Sequence, residues 1–311
     1  MSAARAIGLL LGLAADGVIG ESGRVRPVAG FAKAARAFEH KLPAETRLTG
    51  AVHAAGLAGA AVLAGVLVER AGRRSPVRQA AGTAVATWAV LGAAGLAVDG
   101  TAMARDLEEG RLDSARDTLA GLDPRAGDGL DVIGLSRASV ETVAQNTSDA
   151  VVAPLFWGAV AGVPGLLGAR AVIVLRRLLN RRQEPFGWFA GRLDRLVNQV
   201  PTRYAAALTV TGAPVVGGSA RGAWRAWRRD IIAHPDPNAG RVGAAFAGAL
   251  EIRLGGRTAY PHGVEELPVL GDGRNPDAGY VTRAVELSRV VGWLAGLGSA
   301  VLAILVGLRR R

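Results

Sequence analysis

Long apolar stretches separated by short basic ones organise this chain. Thr49–Val68 and Ala80–Val98 each approach the roughly 20 apolar residues that a helix needs to cross a bilayer. Val290–Leu308 does the same and ends in Arg309-Arg310-Arg311. Ala150–Leu175 is longer, but Pro154, Pro164 and Arg170 interrupt it, which predicts a kinked or re-entrant segment. Tyr204–Gly218 is a fifth, weaker candidate, short and broken by Pro214. The apolar run Ile7–Ala15 is short and lacks the flanks of a signal peptide, so it predicts an interfacial or partly inserted helix.

The polar stretches have characters of their own. Val28–His40 predicts a basic helix, and Glu69–Gln79 is an Arg-rich connector that suggests a hairpin of two spans. Asp99–Ser148 is acidic and helix-rich, with turn signals at Asp123-Pro124 and Gly127-Asp128-Gly129. Arg176–Arg203 is basic. Ser219–Arg289 is the longest soluble-looking part, with loop chemistry at 234–240 and 260–279. No strand-like alternation recurs, and no repeat of 20–50 residues is present. The expectation is a single all-α, polytopic membrane domain over 1–311, with four to five apolar segments plus amphipathic peripheral helices and loops.

Composition supports this picture. Half of the chain is hydrophobic, aromatics are 5%, and there are 43 glycines, a mixture suited to close helix packing in lipid. The absence of Cys excludes disulfides and thiolate metal sites. The net charge of +11 is carried almost wholly by Arg, since Lys33 and Lys41 are the only lysines. These arginines lie between apolar spans rather than among aromatics, which fits lipid headgroups and not nucleic acid. The charge rule would put Arg70, Arg73, Arg74 and Arg78 in the cytoplasm. Two simple spans would then leave Glu21–Leu48 and Asp99–Ser148 outside, a poor place for nucleotide chemistry. The prolines in Ala150–Leu175 keep the topology open.

Three constellations carry candidate chemistry. Ser136–Asp149 predicts a helix capped by Ser136, with Glu141, Gln145 and Asp149 on one face and Asn146 beside them. That face runs straight into an apolar segment, where unpaired polar groups are expensive. In FGWFAGRLDRLVNQVPTRY (186–204), Phe189, Leu193, Leu196, Val197 and Val200 form an apolar stripe. Asp194 and Asn198 form an i, i+4 pair on another face, among Arg192, Arg195 and Arg203. A carboxylate there suits Mg²⁺ or an Arg that grips phosphate, and the alternative is an interfacial helix with snorkelling arginines. In HPDPNAGRVGAAFAGALEIRLGGRTAY (234–260), two prolines lead to a helix start near Asn238, a position that favours anions, and Gly255-Gly256 closes the far end. His234 is a candidate polar contact, and His53 stands alone inside an apolar span. Walker, zincin and nucleophile-elbow motifs are absent.

Taken together, SRASVETVAQNTSDAVVAPLFWGAVAGVPGLLGARAV (136–172), FGWFAGRLDRLVNQVP (186–201), the 234–260 segment and PHGVEELPVLGDGR (261–274) resemble the adenosylcobinamide-phosphate synthase family of cobalamin biosynthesis, integral membrane proteins. The resemblance covers nearly the whole chain. It implies a multi-pass protein of the cytoplasmic membrane that uses ATP with Mg²⁺ to join an aminopropanol-type amine, or its phosphate, to a propionate carboxyl of adenosylcobyric acid. It also implies neighbouring cobalamin-assembly enzymes as partners. Glu141, Asp149 and Asp194 become candidates for catalysis, with Glu141 and Asp194 as Mg²⁺ ligands. Arg192, Arg203, His234 and Asn238 become candidates for substrate, mainly phosphate, and Asn146 and Asn198 for corrinoid amides.

The chain departs from the family's pattern at several positions. A usual Asn-Thr-Leu-Asp run is Ile173, Val174, Leu175 and Arg176, and a usual acidic pair is Asp194-Arg195. A usual Gly-Asp-Pro then His-Pro-Val reads Gly20-Glu21-Ser22 then Arg26-Pro27-Val28, and a usual Arg-Asp reads Leu122-Asp123. Lost carboxylates weaken a metal site. Two other readings therefore stay open: a non-catalytic relative that binds corrinoid or scaffolds enzymes at the membrane, and a transporter.

Overall fold

The structure, a computed structural model, describes residues 2–20, 27–39, 46–123, 129–179, 185–230, 235–260 and 263–309. Twelve helices and one hairpin are seen among them: α1 (Ser2–Ile19), α2 (Pro27–Glu39), α3 (Arg47–Gly72), α4 (Pro76–Val90), α5 (Ala93–Glu108), α6 (Leu112–Leu122), α7 (Val132–Asn146), α8 (Ala153–Leu179), α9 (Trp188–Gly212), α10 (Ala220–Asp230), α11 (Pro237–Leu250) and α12 (Ala278–Arg309). A π-helical turn, Thr147–Val152, joins α7 to α8, and a 3₁₀ turn, Ala213–Val216, follows α9. Five helical stretches are long and apolar enough to cross a membrane: Ser2–Ile19, Arg47–Gly72, Pro76–Glu108, Val132–Leu179 and Ala278–Arg309. The fold is all-α and polytopic, as expected. The fifth stretch is α1 rather than Tyr204–Gly218, which lies in the end of α9 and the 3₁₀ turn.

The chain divides into two compact units. The first comprises Met1–Gly92, Asp149–Pro201 and Ala295–Arg311. Its helices meet through small residues, because lipid tails supply no hydrophobic drive between spans and close backbone approach must replace it. Gly8 and Gly12 of α1, four apart, press on Thr83 and Thr87 of α4; a Cβ at Gly8 would lie 2.5 Å from that of Thr83. Gly65 of α3 lies against Pro164 of α8. α8 breaks at Gly162, whose φ of 72° and ψ of −157° suit glycine alone. Arg5 and Glu69 pair at 2.9 Å beside this break, and Arg5 also reaches the Ala159 carbonyl at 3.4 Å. Helices α2, α3, α8 and α9 share a cluster of Ala35, Ala58, Val172 and Leu175 with Leu193 and Val197.

The second unit comprises Ala93–Ser148 and Thr202–Leu294. Its centre is α11, in which every residue from Gly240 to Leu250 is buried. α10 lies against it, where Gly248 faces the Gly222 carbonyl so closely that no side chain fits. The antiparallel pair β1 (Leu254–Tyr260) and β2 (Gly263–Leu270) follows, with Leu254 opposite Leu270, Gly256 opposite Leu267 and a bulge between. This hairpin stands where loop chemistry was expected. Gly255-Gly256 does not end α11, whose C-cap is Glu251 in the left-handed region, but forms the bulge of β1.

Candidate functional site

Polar side chains are buried in both units, and each set is built by helix periodicity. On α9 the inward stripe is Ala190, Asp194 and Asn198, then Thr202, Ala205 and Thr209. The expected apolar stripe is only partly inward: Leu193 and Val197 pack inside, whereas Leu196 and Val200 are exposed. The polar pair is the buried one because a third group awaits it.

That group, in the first unit, is the arginine-rich end of α8. Arg176 uses Nε to reach Asp194 at 3.0 Å and Nη2 to reach Asp149 at 3.0 Å. Arg177 Nη2 donates to the same Asp149 oxygen at 3.2 Å, and Arg170 donates to the Asp149 carbonyl at 3.4 Å. Asn198 Nδ2 donates to Asp194 Oδ1 at 2.7 Å. Arg176 thus bridges two buried carboxylates, and Ile173, Val174 and Leu175 beside it are core residues. Arg176, at a position where the resemblance leads one to expect an acid, is the counter-ion of Asp149 and Asp194.

The expected common face of Glu141, Gln145 and Asp149 is not kept, because the α-helix gives way to a π turn at Thr147 and the register shifts. Asp149 is engaged by the α8 arginines. In the second unit Glu141 Oε1 accepts the Gly255 amide at 2.6 Å. Gly255 has φ of +77°, so this carboxylate holds the bulge of the hairpin. The helix bearing Glu141 starts at Val132 rather than after Ser136, since Asp131 caps it through the Gly134 amide at 2.7 Å. Asn146 Nδ2 turns back to the Thr142 carbonyl at 2.9 Å, and Thr142 donates to Asp123 at 2.8 Å.

The other buried polar set of the second unit surrounds the start of α11. Asp236 is its N-cap, with Oδ1 accepting from the Asn238 amide at 2.9 Å and the Ala239 amide at 3.4 Å. The Gly240 amide donates to the Asp236 carbonyl, and Pro237 has no N–H. The first-turn amides are therefore already used, and the backbone is not the anion receptor that the sequence suggested. Side chains take that place. Arg241 is 9% exposed, and its Nη1 donates to Asn238 Oδ1 at 2.8 Å; Thr202 donates to the same oxygen at 3.3 Å. No carboxylate lies within ion-pair distance of Arg241 among the described residues. Burial, and then the nearby charge of Arg203, lowers the Arg241 pKa from the ordinary value, partly offset by Asp236. Arginine's pKa is so high that the group stays charged. Arg241 was missed in the sequence, although a lone Arg ahead of GAAFAGAL was a visible signal.

The remaining candidates lie apart from these sets. Arg192 is exposed and stacks with Arg47 on Trp188, at 5.5 and 5.8 Å from the ring centre. Arg203 is exposed, and His234 and Arg26 lie outside the described residues. His53 is buried against Phe186, with ring centres 5.9 Å apart and no hydrogen-bond partner at Nε2 among the described residues. No group of three or more His, Asp or Glu side chains able to hold a metal occurs among the described residues. Glu141 is engaged by an amide and Asp194 by arginine.

Comparisons with known proteins agree with the motifs. No solved structure matches the chain. It is 48% identical to the cobalamin biosynthesis protein CobD of Mycobacterium tuberculosis, over 99% of this chain and 97% of the relative. It is 34% identical to the protein of the same name from Chromobacterium violaceum, over 97% and 98%. A Clostridium perfringens relative with that name is 30% identical, over 77% and 76%. The CobD/Cbib protein family model matches residues 9–288, and the chain belongs to that family of cobalamin biosynthesis proteins.

Proposed function

We propose that this multi-pass protein sits in the cytoplasmic membrane and is an ATP-dependent carbon–nitrogen ligase. It joins an aminopropanol-type amine, or its phosphate, to a propionate carboxyl of adenosylcobyric acid. A carboxylate and an amine do not condense unaided in water. In the proposed course a propionate oxygen attacks the γ-phosphorus of ATP, giving an acyl phosphate and ADP. The amine nitrogen then attacks the acyl carbon, phosphate leaves, and the nitrogen loses a proton. Mg²⁺ enters with the nucleotide as part of that substrate.

ATP, the propionate and the acyl phosphate all carry oxyanions, so the site needs a cation not already paired within the protein. Arg241 is the observation that carries the reading: a buried guanidinium held by a neutral amide, with only the field of Asp236 to offset its charge and no carboxylate within ion-pair distance among the described residues. A buried charge without a close counter-charge is costly, and an incoming anion offsets the cost. Arg241, helped by the field of Arg203, receives a phosphate or carboxylate oxygen. Asn238 and Thr202 fix the direction of its guanidinium. Asp149 and Asp194 act as positioning residues for the end of α8.

The paired state of Asp149 and Asp194 favours a second reading, a corrinoid-binding relative without catalysis. One experiment separates the two. The chain is expressed in a bacterium whose cobinamide synthase is deleted, cobyric acid is supplied, and the corrinoids are weighed by mass spectrometry. Amine-linked cobinamide is expected. Unconverted cobyric acid, with the protein present in the membrane, would overturn the ligase.

A further inference from the structure

Helix α10, ARGAWRAWRRD, carries four arginines and two tryptophans that the proposed reaction does not use. Its inner face is small: Ala223 and Ala226 are buried, and Gly222 meets Gly248 of α11. Its outer face presents Arg221, Trp224, Arg225 and Arg228 in one line, over roughly 10 Å of helix. Together with Arg229 they line a shallow groove of about 510 Å³, open to solvent.

The arginines fall into two kinds. Arg229 is engaged, pairing with Asp230 and Asp272 at 2.5 Å each, while Asp230 also accepts the Gly271 amide at 2.8 Å. This arrangement ties the end of α10 to the loop after β2. Arg221, Arg225 and Arg228 make no ion pair among the described residues. Arg228 lies over the Trp224 ring at 5.4 Å, and Trp227 meets that ring edge-on at 5.3 Å. Trp224 is nevertheless 48% exposed.

We infer that this outer face docks on the anionic phospholipid headgroups of the membrane that the protein spans. Tryptophan beside arginine suits the headgroup layer, where the ring takes the apolar boundary and the guanidinium takes phosphate. A small phosphate ligand would need enclosure, since such sites bury most of their occupant. The groove has no outer wall to do this. Spread-out guanidiniums on an open shelf match a surface of phosphates.

The test uses the whole chain in phosphatidylcholine vesicles holding a minor share of phosphatidylglycerol, with one lipid or the other brominated. The difference in quenching between the protein and Trp224→Phe isolates Trp224. Brominated phosphatidylglycerol should quench it more, per molecule, than brominated phosphatidylcholine. Replacing Arg221, Arg225 and Arg228 together by Gln should remove that preference, at roughly fivefold per arginine at low ionic strength. The corresponding Lys variant should retain it and shows that loss is not misfolding. Arg229→Gln should also retain it. Equal quenching by both lipids, or a preference unchanged in the triple Gln variant, would overturn the proposal. So would absence of lipid quenching combined with a response of Trp224 to ATP, which would assign the groove to a soluble phosphate.

Discussion

The two buried polar clusters differ in how their charge is balanced. In the first unit, Asp149 and Asp194 are joined by Arg176, supported by Arg177 and Asn198. In the second, Arg241 has a neutral amide and, among the described residues, no carboxylate within ion-pair distance. A balanced set satisfies itself and holds helices in place; an unbalanced one is open to an anion. Residue type alone does not reveal this: the sequence points to Asp149, Asp194 and Asn238 but not to Arg176 as a bridge or to Arg241.

Removing the bridge should break the balanced cluster most severely. Arg176→Gln removes the charge shared by two buried carboxylates, leaving Asp149 to Arg177 and Asp194 to Asn198, an effect on the order of 3–5 kcal/mol. A large drop in thermal stability of the protein in lipid nanodiscs is expected. Neutralising all three, with Asp149→Asn and Asp194→Asn added, should cost less than the sum of the single changes. Purely additive losses would contradict the coupling.

Arg241→Gln should behave in the opposite way. Stability should not fall, since a buried charge without a close counter-charge has been removed, while amide formation drops about 100-fold. Steady-state kinetics beside a melting curve reads both, and Arg241→Lys should recover part of the activity. A smaller change sharpens the role of α11 as the platform. Gly248→Ala places a methyl against the Gly222 carbonyl and should destabilise by about 1–3 kcal/mol, seen in the same melting assay. Its activity should be affected less than that of Arg241→Gln.

The exposed Arg229–Asp272 pair is the control with the smallest effect. The hydrogen bond from Arg229 holds the Asp272 carboxyl below the usual carboxylate range. Its stabilisation is therefore present above the unfolded value of about 3.9 and is lost as pH falls through the lower folded value. Being at the surface, it should weaken with salt. Melting curves over the acid range with and without Asp272→Asn should converge at the lowest pH.

Long apolar runs made the spans of α3, α4, α8 and α12 legible, because span length is set by the bilayer. α1 was underrated: its glycines and alanines dilute hydropathy, yet they are what let it pack on α4. The hairpin was not legible, since Gly255, Gly256 and Pro268 are poor strand formers and its bulge depends on Glu141. Local motifs pointed to Asp149, Asp194, Asn198 and Asn238. They did not reveal that Arg176 joins the first two, a contact set by the packing of α8 against α9. The Asn238 position was legible but its chemistry was not, because Asp236 already uses the first-turn amides.

The central claim is that Arg241 receives an anion in an amide-forming reaction. Purified protein in nanodiscs is given adenosylcobyric acid, aminopropanol phosphate, ATP and Mg²⁺, and product is followed by mass for the natural chain and for Arg241→Gln. The account predicts adenosylcobinamide phosphate with ADP from the natural chain, and a loss of about two orders of magnitude in the variant. Equal product from both, with the variant folded, would contradict it.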